Sequence, residues 1–250
     1  VKMARSWAAR GYGVLRFDLA GIGDSRSAAG YSSDRLYSKG STLDVQSAMD
    51  CLVGQGYKRF VVMGLCSGAY VAFQTALSDL RVTGQILMNP RRLEWKEGET
   101  LQSAMQISYK STHYYKRALL DVSVYRRLLR NEIDVRGIAG RIRVLIQARI
   151  ARAVTRLLSR SPGEEDVLAN LKLLSAKGTD TLMIIGAEDD GLDYIEFHLG
   201  SKGSRMLGKP HFKMAFVDRS DHTFSNSDSQ KLVIKIVQEH LDKVVTHNLE

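Results

Sequence analysis

The sequence predicts an α/β protein built on a mostly parallel, doubly wound sheet. Apolar, β-branched runs alternate with helical patterns in two parts of the chain, before residue 90 and after residue 179. A strand, a sharp turn and a helix follow one another within residues 60–73, F-V-V-M-G-L-C-S-G-A-Y-V-A-F. With 250 residues, 44% of them hydrophobic, the chain can bury one sizeable core. We therefore expect one domain with about five strands, interrupted by an insertion.

The composition excludes several classes of protein. The chain has three prolines, no low-complexity tract and no apolar run as long as a membrane span. Two cysteines, Cys51 and Cys66, are too few for a disulfide framework, and the opening V-K-M-A-R-S-W lacks the apolar stretch of a signal peptide. These features favour a cytoplasmic protein with free thiols. No pattern in the sequence calls for a cofactor or a metal ion.

The turn inside residues 60–73 carries the candidate nucleophile. It reads G-L-C-S-G, and Cys66 has a glycine two positions away on each side. Missing side chains at both places would let strand and helix approach closely while the sulfur projects. Ser67 lacks such glycines, and we expect its backbone N–H to face a developing oxyanion instead. The alternative is an ordinary turn with a small buried cysteine.

The first part of the chain contains two predicted helices around one strand. Residues 3–10 fit a helix, and residues 13–18, G-V-L-R-F-D, fit a short strand. Ser41 or Thr42 is the expected N-cap of a second, amphipathic helix. Cys51 falls within that helix, where we expect it to pack rather than to react.

Two later loops carry the acidic and basic groups that could act with Cys66. The apolar run at residues 181–186 predicts a strand, and A-E-D-D-G follows it. Residues 213–217 predict the last strand, and the loop after it contains His222. Loops at the carboxyl ends of parallel strands converge on one crevice. We therefore expect a thiol, a carboxylate and an imidazole to meet there, in the chain order nucleophile, acid, base.

Three short motifs resemble the α/β-hydrolase superfamily, in its esterase, lipase and aminopeptidase branches. They are the elbow G-L-C-S-G, the turn D-L-A-G-I-G-D-S at residues 18–25 and the segment D-H-T-F at residues 221–224. The resemblance extends over nearly the whole chain and implies the α/β-hydrolase fold. We expect the turn at residues 18–25 to be scaffold, with Asp18 and Ser25 bonding to backbone groups of the loop.

The resemblance also implies the roles of the site residues. Cys66 corresponds to the nucleophile, His222 to the base, and Asp189, three residues after the strand, to the acid, with Asp190 as the alternative. Most esterases of this fold use serine, whereas the cysteine elbow is similar to that of dienelactone hydrolases. The implied reaction is hydrolysis of a carboxylic ester or thioester through an acyl-cysteine. Acyl transfer is the competing hypothesis, because a thiol passes an acyl group readily to amines or alcohols.

By the same resemblance, the chain begins in the helix after the family's third strand. The first three strands and the second oxyanion N–H would then lie upstream, in roughly 40 to 80 further residues. Loss of one oxyanion donor typically costs about 100- to 1000-fold in rate. Activity without that donor would be weak.

Residues 91–178 interrupt the alternation of strands and helices between two core parts, residues 1–90 and 179–250. The resemblance implies a helical lid there. Between Arg91 and Arg160 stand 16 Lys and Arg against 6 Asp and Glu, enough to account for the net charge of +9 of the chain. An anionic or carrier-bound acyl substrate, or an anionic membrane surface, would suit this charge. The alternative is a solvated arginine face without a partner. A non-catalytic module that binds an acidic partner is the third hypothesis, and nucleic acid is not expected.

Overall fold

A computed structural model describes residues 1–26, 36–95 and 166–247 of the chain. It confirms the α/β prediction, with a parallel four-stranded sheet in the order β1-β2-β3-β4. The strands are β1 (Phe60–Leu65), β2 (Val82–Met88), β3 (Asp180–Gly186) and β4 (Phe212–Val217). The described helices are α1 (Lys2–Ala8), α2 (Lys39–Val53), α3 (Ser67–Ser78), α4 (Val167–Ala176), α5 (Leu192–Leu199) and α6 (Ser227–His247), with a 3-10 turn at Ser201–Met206.

The sheet packs apolar residues on both of its faces. Leu87 and Met183 point into a core with α2, α3, α4 and α5, while Ile86 and Leu182 point into a core with α1 and α6. Successive residues of a strand face opposite sides, so a strand covered on both faces must be apolar throughout. This explains the unbroken run L-M-I-I in β3, which is buried along nearly its whole length.

The predicted strand at residues 13–18 is wrong, and the described sheet has four strands where the sequence indicated about five. These residues are exposed, belong to no helix or strand, and pair with no strand of the described sheet. Gly13 lies against the ring of Tyr57, where an added Cβ would come within 2.4 Å of a ring carbon. The apolar composition predicted a strand, but pairing with a neighbour decides whether one forms.

Helix α2 begins earlier than expected, at Lys39. Its N-cap is Ser38, whose extended backbone lets Oγ accept a hydrogen bond from the Gly40 N–H at 3.2 Å. The predicted cap Ser41 is instead buried inside the first turn, and its Oγ donates to the Ser38 carbonyl at 2.8 Å. Cys51 was expected to pack, but its side chain is exposed and forms no disulfide.

The turn at residues 18–25 has the scaffold contacts that its sequence indicated. Ser25 Oγ donates to the Asp18 carbonyl at 2.7 Å, and the Asp18 carboxylate accepts from the Asp24 N–H at 3.3 Å. A Cβ on Gly23 would lie 2.3 Å from that carboxylate, so the turn closes only around glycine. The Ala20 N–H donates to Asp44 of α2 at 3.0 Å, which joins the turn to the helix.

Most of the predicted lid, residues 91–178, lies outside the described residues, and the boundaries of the lid remain a prediction. Within its last part, α4 is described, and its Leu171 and Leu174 are fully buried in the core that contains α3 and β3. In the described ranges, no helix is both long enough and apolar enough to cross a membrane.

Candidate active site

Cys66 lies in the sharp turn between β1 and α3, as the spacing of the glycines indicated. Its backbone has φ 58° and ψ −117°, a conformation that costs a non-glycine residue energy and is held only by the surrounding structure. The Cys66 N–H donates to the Met88 carbonyl at 3.0 Å, which ties the turn to the carboxyl end of β2. The strained residue therefore lies at the carboxyl edge of the sheet, where the loops converge.

The two glycines of the elbow serve different purposes. A Cβ on Gly64 would lie 2.0 Å from the backbone carbonyl of Gly68, so strand and helix touch there backbone to backbone. A Cβ on Gly68 would meet nothing within 4 Å. The expectation that both positions must lack a side chain therefore holds sterically for Gly64 alone.

The Cys66 thiol is half-buried, and burial raises its pKa above the ordinary value of 9.0. The backbone N–H of Ser67 and the guanidinium of Arg91 act in the opposite direction, because each favours the thiolate, while the Asp189 carboxylate adds to the rise. The Ser67 N–H thus faces the sulfur, and the charges of Arg91 and Asp189 both act on it. The predicted use of the Ser67 N–H as an oxyanion donor remains a prediction.

Asp189 and His222 are in direct contact through Asp189 Oδ2 and His222 Nδ1. The other carboxylate oxygen of Asp189 accepts from the Gly191 N–H at 2.7 Å, and the side chain is fully buried. Asp190, the alternative acid, has a side chain 80% exposed and lies 3.6 Å from Arg91. Of the two candidate acids, the structure thus sets Asp189 against the imidazole.

Asn89 connects the parts of this site and was missed by the sequence analysis. It is fully buried, has a φ of 41° and follows the last residue of β2. Its Nδ2 donates to the His222 carbonyl at 2.8 Å, and its Oδ1 accepts from the Gly186 N–H at 2.7 Å. One side chain therefore joins the ends of β2 and β3 to the loop that carries His222.

Hydrogen bonds tie the backbones of Cys66 and His222 to adjacent residues at the end of β2. The Cys66 N–H binds the carbonyl of Met88, and the next residue, Asn89, binds the carbonyl of His222. The loop before His222 also crosses the end of β3, where a Cβ on Gly186 would lie 2.8 Å from the Ser220 carbonyl. The strand ends thus carry the loops of Cys66 and His222 together with the buried carboxylate of Asp189, while in the described part of the chain no hydrogen bond joins the Cys66 sulfur to the imidazole.

A cluster of three aromatic rings includes Tyr37, whose hydroxyl interacts electrostatically with Cys66. The rings of Tyr37 and Trp95 stack at 4.5 Å, and Tyr70 packs against Tyr37 at 4.9 Å. The pKa of Tyr37 is raised to about 12, mainly by burial and also by a charge on Cys66, against the opposing effects of Arg92 and Arg91. The Tyr37 hydroxyl therefore stays protonated at neutral pH and lies within electrostatic reach of the sulfur. The aromatic sequence pattern alone had not indicated these neighbours.

In the chemistry of such a group, a carboxylate orients and charges an imidazole, which takes a proton from a nucleophile. Asp189 as a carboxylate can only accept, so its contact assigns the imidazole proton to Nδ1 of His222. The second ring nitrogen, Nε2, is then the one able to accept a proton. The arrangement fits nucleophilic attack by Cys66 on a carbonyl.

Comparisons with known proteins give the family of the chain. A model described as "Alpha/beta hydrolase family" matches residues 2–235. The structure is similar to a meta-cleavage product hydrolase from Pseudomonas fluorescens IP01, at 20% identity and a TM-score of 0.53, covering 97% of this chain and 84% of that one. It is also similar to a thermophilic esterase from Thermogutta terrifontis, at 18% identity and a TM-score of 0.50, covering 91% of this chain and 78% of that one. No curated protein matches.

At such identities the solved structures show only the fold, whereas the family model shows which family the chain belongs to. The match spans almost all of the chain, including the elbow, the acidic loop and the loop of His222. It confirms the predicted fold and the predicted hydrolase class of enzyme. The chain belongs to the alpha/beta hydrolase family.

Proposed function

We propose that the protein hydrolyses a carboxylic ester or thioester through an acyl-cysteine at Cys66. His222 serves as general base and acid, and Asp189 holds the imidazole. The observation that carries this proposal is the contact of His222 with the buried carboxylate of Asp189. Asn89 tethers the loop of His222 to the strand end that also binds the Cys66 backbone. The order of these residues in the chain is the order used by this fold.

In the acylation half-reaction, Nε2 of His222 takes the proton of the thiol as the sulfur attacks the carbonyl carbon. The new C–S bond forms while the carbonyl electron pair moves to oxygen, and the Ser67 N–H is the donor we assign to that oxyanion. Because burial raises the pKa of Cys66, the resting group is a thiol, and proton transfer to His222 must accompany attack. Collapse of the intermediate breaks the bond to the leaving group, which receives the proton from His222.

In the second half-reaction, water gives its proton to Nε2 of His222 and attacks the acyl-cysteine. Collapse releases the carboxylic acid, and the sulfur recovers its proton from the imidazolium. An amine or alcohol in place of water would make the protein an acyltransferase with the same intermediate. Hydrolysis and acyl transfer use the same three side chains, and the acceptor is identified by the partition experiment described below.

The setting of the reaction is also part of the proposal. Two free cysteines suit the reducing cytoplasm, where a thiol nucleophile stays active. The basic segment that favours an anionic or carrier-bound substrate lies largely outside the described residues, as does the surface of the alternative binding module. The preference for esters and thioesters derives from thiol chemistry and not from the names of similar structures.

Detection of the acyl-enzyme by intact mass tests the proposal. The protein, in a Cys51→Ser background that removes the exposed second thiol, is mixed with activated esters of graded acyl length. We expect one acyl adduct, absent in Cys66→Ala, and an acylation rate lower by about 100-fold or more in His222→Ala, since a general base contributes that much. Partition of the adduct between water and added amines or alcohols separates hydrolysis from acyl transfer.

A second variant tests whether Cys66→Ala fails to react only because it misfolds. Cys66→Ser keeps the size and shape of the side chain and should fold normally while losing most of the rate, because the hydroxyl is harder to deprotonate. An adduct that forms equally well in Cys66→Ala would show that another residue reacts. No adduct with any ester, in a folded protein, would favour the non-catalytic module.

A further inference from the structure

Arg91 lies beside the acidic loop that carries Asp189, and its ion pair is long and exposed. It follows Pro90, whose carbonyl lies so close to Gly191 that a Cβ there would be 2.9 Å away. The segment after β2 and the acidic loop after β3 therefore lie side by side. Across this junction Arg91 Nη2 is 3.6 Å from Asp190 Oδ2, with side chains 44% and 80% exposed. An exposed pair at that separation contributes little to stability.

The charge of Arg91 nevertheless reaches the reacting centre. Its guanidinium lowers the pKa of the Cys66 thiol, against the effect of burial, and lowers the pKa of Tyr37 beside it. A positive charge so placed acts on any group bound at the sulfur. Asp190, its present partner, neighbours the acid Asp189 but takes no part in the contact with His222.

On the basis of the proposed function, we propose that Arg91 binds an anionic group of the substrate, and that the substrates are esters or thioesters bearing a carboxylate or phosphate. The bound anion takes the place of Asp190 on the guanidinium. Arginine suits this role because its planar fork binds a carboxylate or phosphate through two parallel hydrogen bonds. Release from an exposed partner at 3.6 Å costs little, so the exchange favours the substrate.

The neighbouring side chains give this position a defined shape. Arg92 lies over the Trp95 ring at 5.4 Å, and Trp95 in turn stacks on Tyr37. These contacts hold residues 91–95 along the aromatic group beside Cys66. Arg91 therefore belongs to a packed segment. An arginine whose backbone is held in place in this way can select among substrates.

The first test compares 4-nitrophenyl hexanoate with mono-4-nitrophenyl adipate, which share chain length and leaving group and differ in one carboxylate. We expect kcat/KM to favour the adipate, and Arg91→Gln to lower the adipate-to-hexanoate ratio by about 10-fold, the usual range of one charged contact. Arg91→Lys should retain part of the ratio, because it keeps the charge and loses the fork. Asp190→Asn should raise the ratio by removing the competing carboxylate.

The second test needs no turnover. In the Cys51→Ser background, Cys66 is alkylated with iodoacetate, which is anionic, and with iodoacetamide, which is neutral and of similar size. We expect Arg91→Gln to lower the iodoacetate-to-iodoacetamide rate ratio by about 3- to 10-fold. Arg10→Gln removes an exposed arginine that follows α1, the helix on the sheet face opposite α3, and should leave both ratios unchanged.

The two tests separate this inference from the proposed function. Ratios that Arg91→Gln does not change, in a protein that turns over esters, would overturn the role of Arg91 and leave the acyl-cysteine intact. A lowered alkylation ratio in a protein with no acyl adduct would support anion binding at Arg91 and overturn the proposed reaction. An equal effect of Arg10→Gln would mean that net charge, and not this site, sets the ratio.

Discussion

At the scale of single residues, Asn89 shows what holds the candidate site in shape. Its amide uses the donor end on His222 and the acceptor end on Gly186. We predict that Asn89→Asp slows acylation of Cys66 by about 10-fold or more and lowers the free energy of unfolding by about 1–3 kcal/mol, as expected when an oxygen faces a buried carbonyl. Aspartate tolerates the φ of 41° as asparagine does, so the substitution should add no backbone strain.

A matched control for Asn89 exists four residues beyond His222. Asn226 accepts from the Ser229 N–H at 2.7 Å and donates to the Arg219 carbonyl at 3.0 Å, but it is exposed. Asn226→Asp makes the same chemical change and should leave the acylation rate unaltered. Equal losses in the two variants would mean that Asn89 acts through general stability and not through the position of His222.

The contrast between Cys66 and Asn89 explains how much of the site the sequence could predict. Cys66 and His222 carry their chemistry in the residue type and stand at strand ends, so order along the chain was enough to single them out. Asn89 has an ordinary side chain, and its partner His222 lies 133 residues away. The amide directly before a proline at a strand end was a visible signal, but pairing over such a separation is set by the fold.

At the scale of elements, the two glycines of the elbow differ in their packing, although the motif treats them alike. Gly64 touches the backbone of Gly68, whereas Gly68 faces open space in the first turn of α3. We predict that Gly64→Ala lowers the free energy of unfolding by at least about 1–3 kcal/mol, because strand and helix must separate. Gly68→Ala should raise it by about 0.5–1 kcal/mol, since alanine is the better helix former.

Denaturant unfolding of the two alanine variants measures this difference directly. Both substitutions add one methyl group to the same pentapeptide, so each serves as the control of the other. Equal destabilisation would contradict the asymmetric packing. The motif treats the two glycines alike, because a sequence pattern records which residue is present and not what a side chain would meet.

The elements themselves were predictable where their apolar period was regular. The strands β1, β3 and β4 follow from the apolar runs that the sequence shows. The segment at residues 13–18 has the composition of a strand but pairs with none of the described strands. The start of α2 was misplaced because Ser38, which was not among the predicted caps Ser41 and Thr42, has the extended backbone that an N-cap needs.

At the scale of the whole molecule, the fold sets the reactivity of the nucleophile through burial and charge together. The surrounding structure half-buries Cys66, which disfavours the thiolate, while Arg91 favours it and Asp189 opposes it. Burial is the largest of these effects, so the pKa of the thiol lies above 9.0. A resting ion pair between thiolate and imidazolium is thereby disfavoured at neutral pH, and His222 must act as a base during attack.

The pH dependence of alkylation tests this balance in the folded protein. We predict that the rate of Cys66 labelling by iodoacetamide, in the Cys51→Ser background, rises with pH to a midpoint above 9.0. Because the charge of Arg91 favours the thiolate, Arg91→Gln should move the midpoint higher, and because the charge of Asp189 opposes it, Asp189→Asn should move it lower. A midpoint below 9.0 that rises in His222→Ala would instead reveal a preformed ion pair. A raised midpoint does not argue against catalysis, since a thiol that ionises only as it attacks still yields the acyl adduct, and that adduct decides between enzyme and binding module.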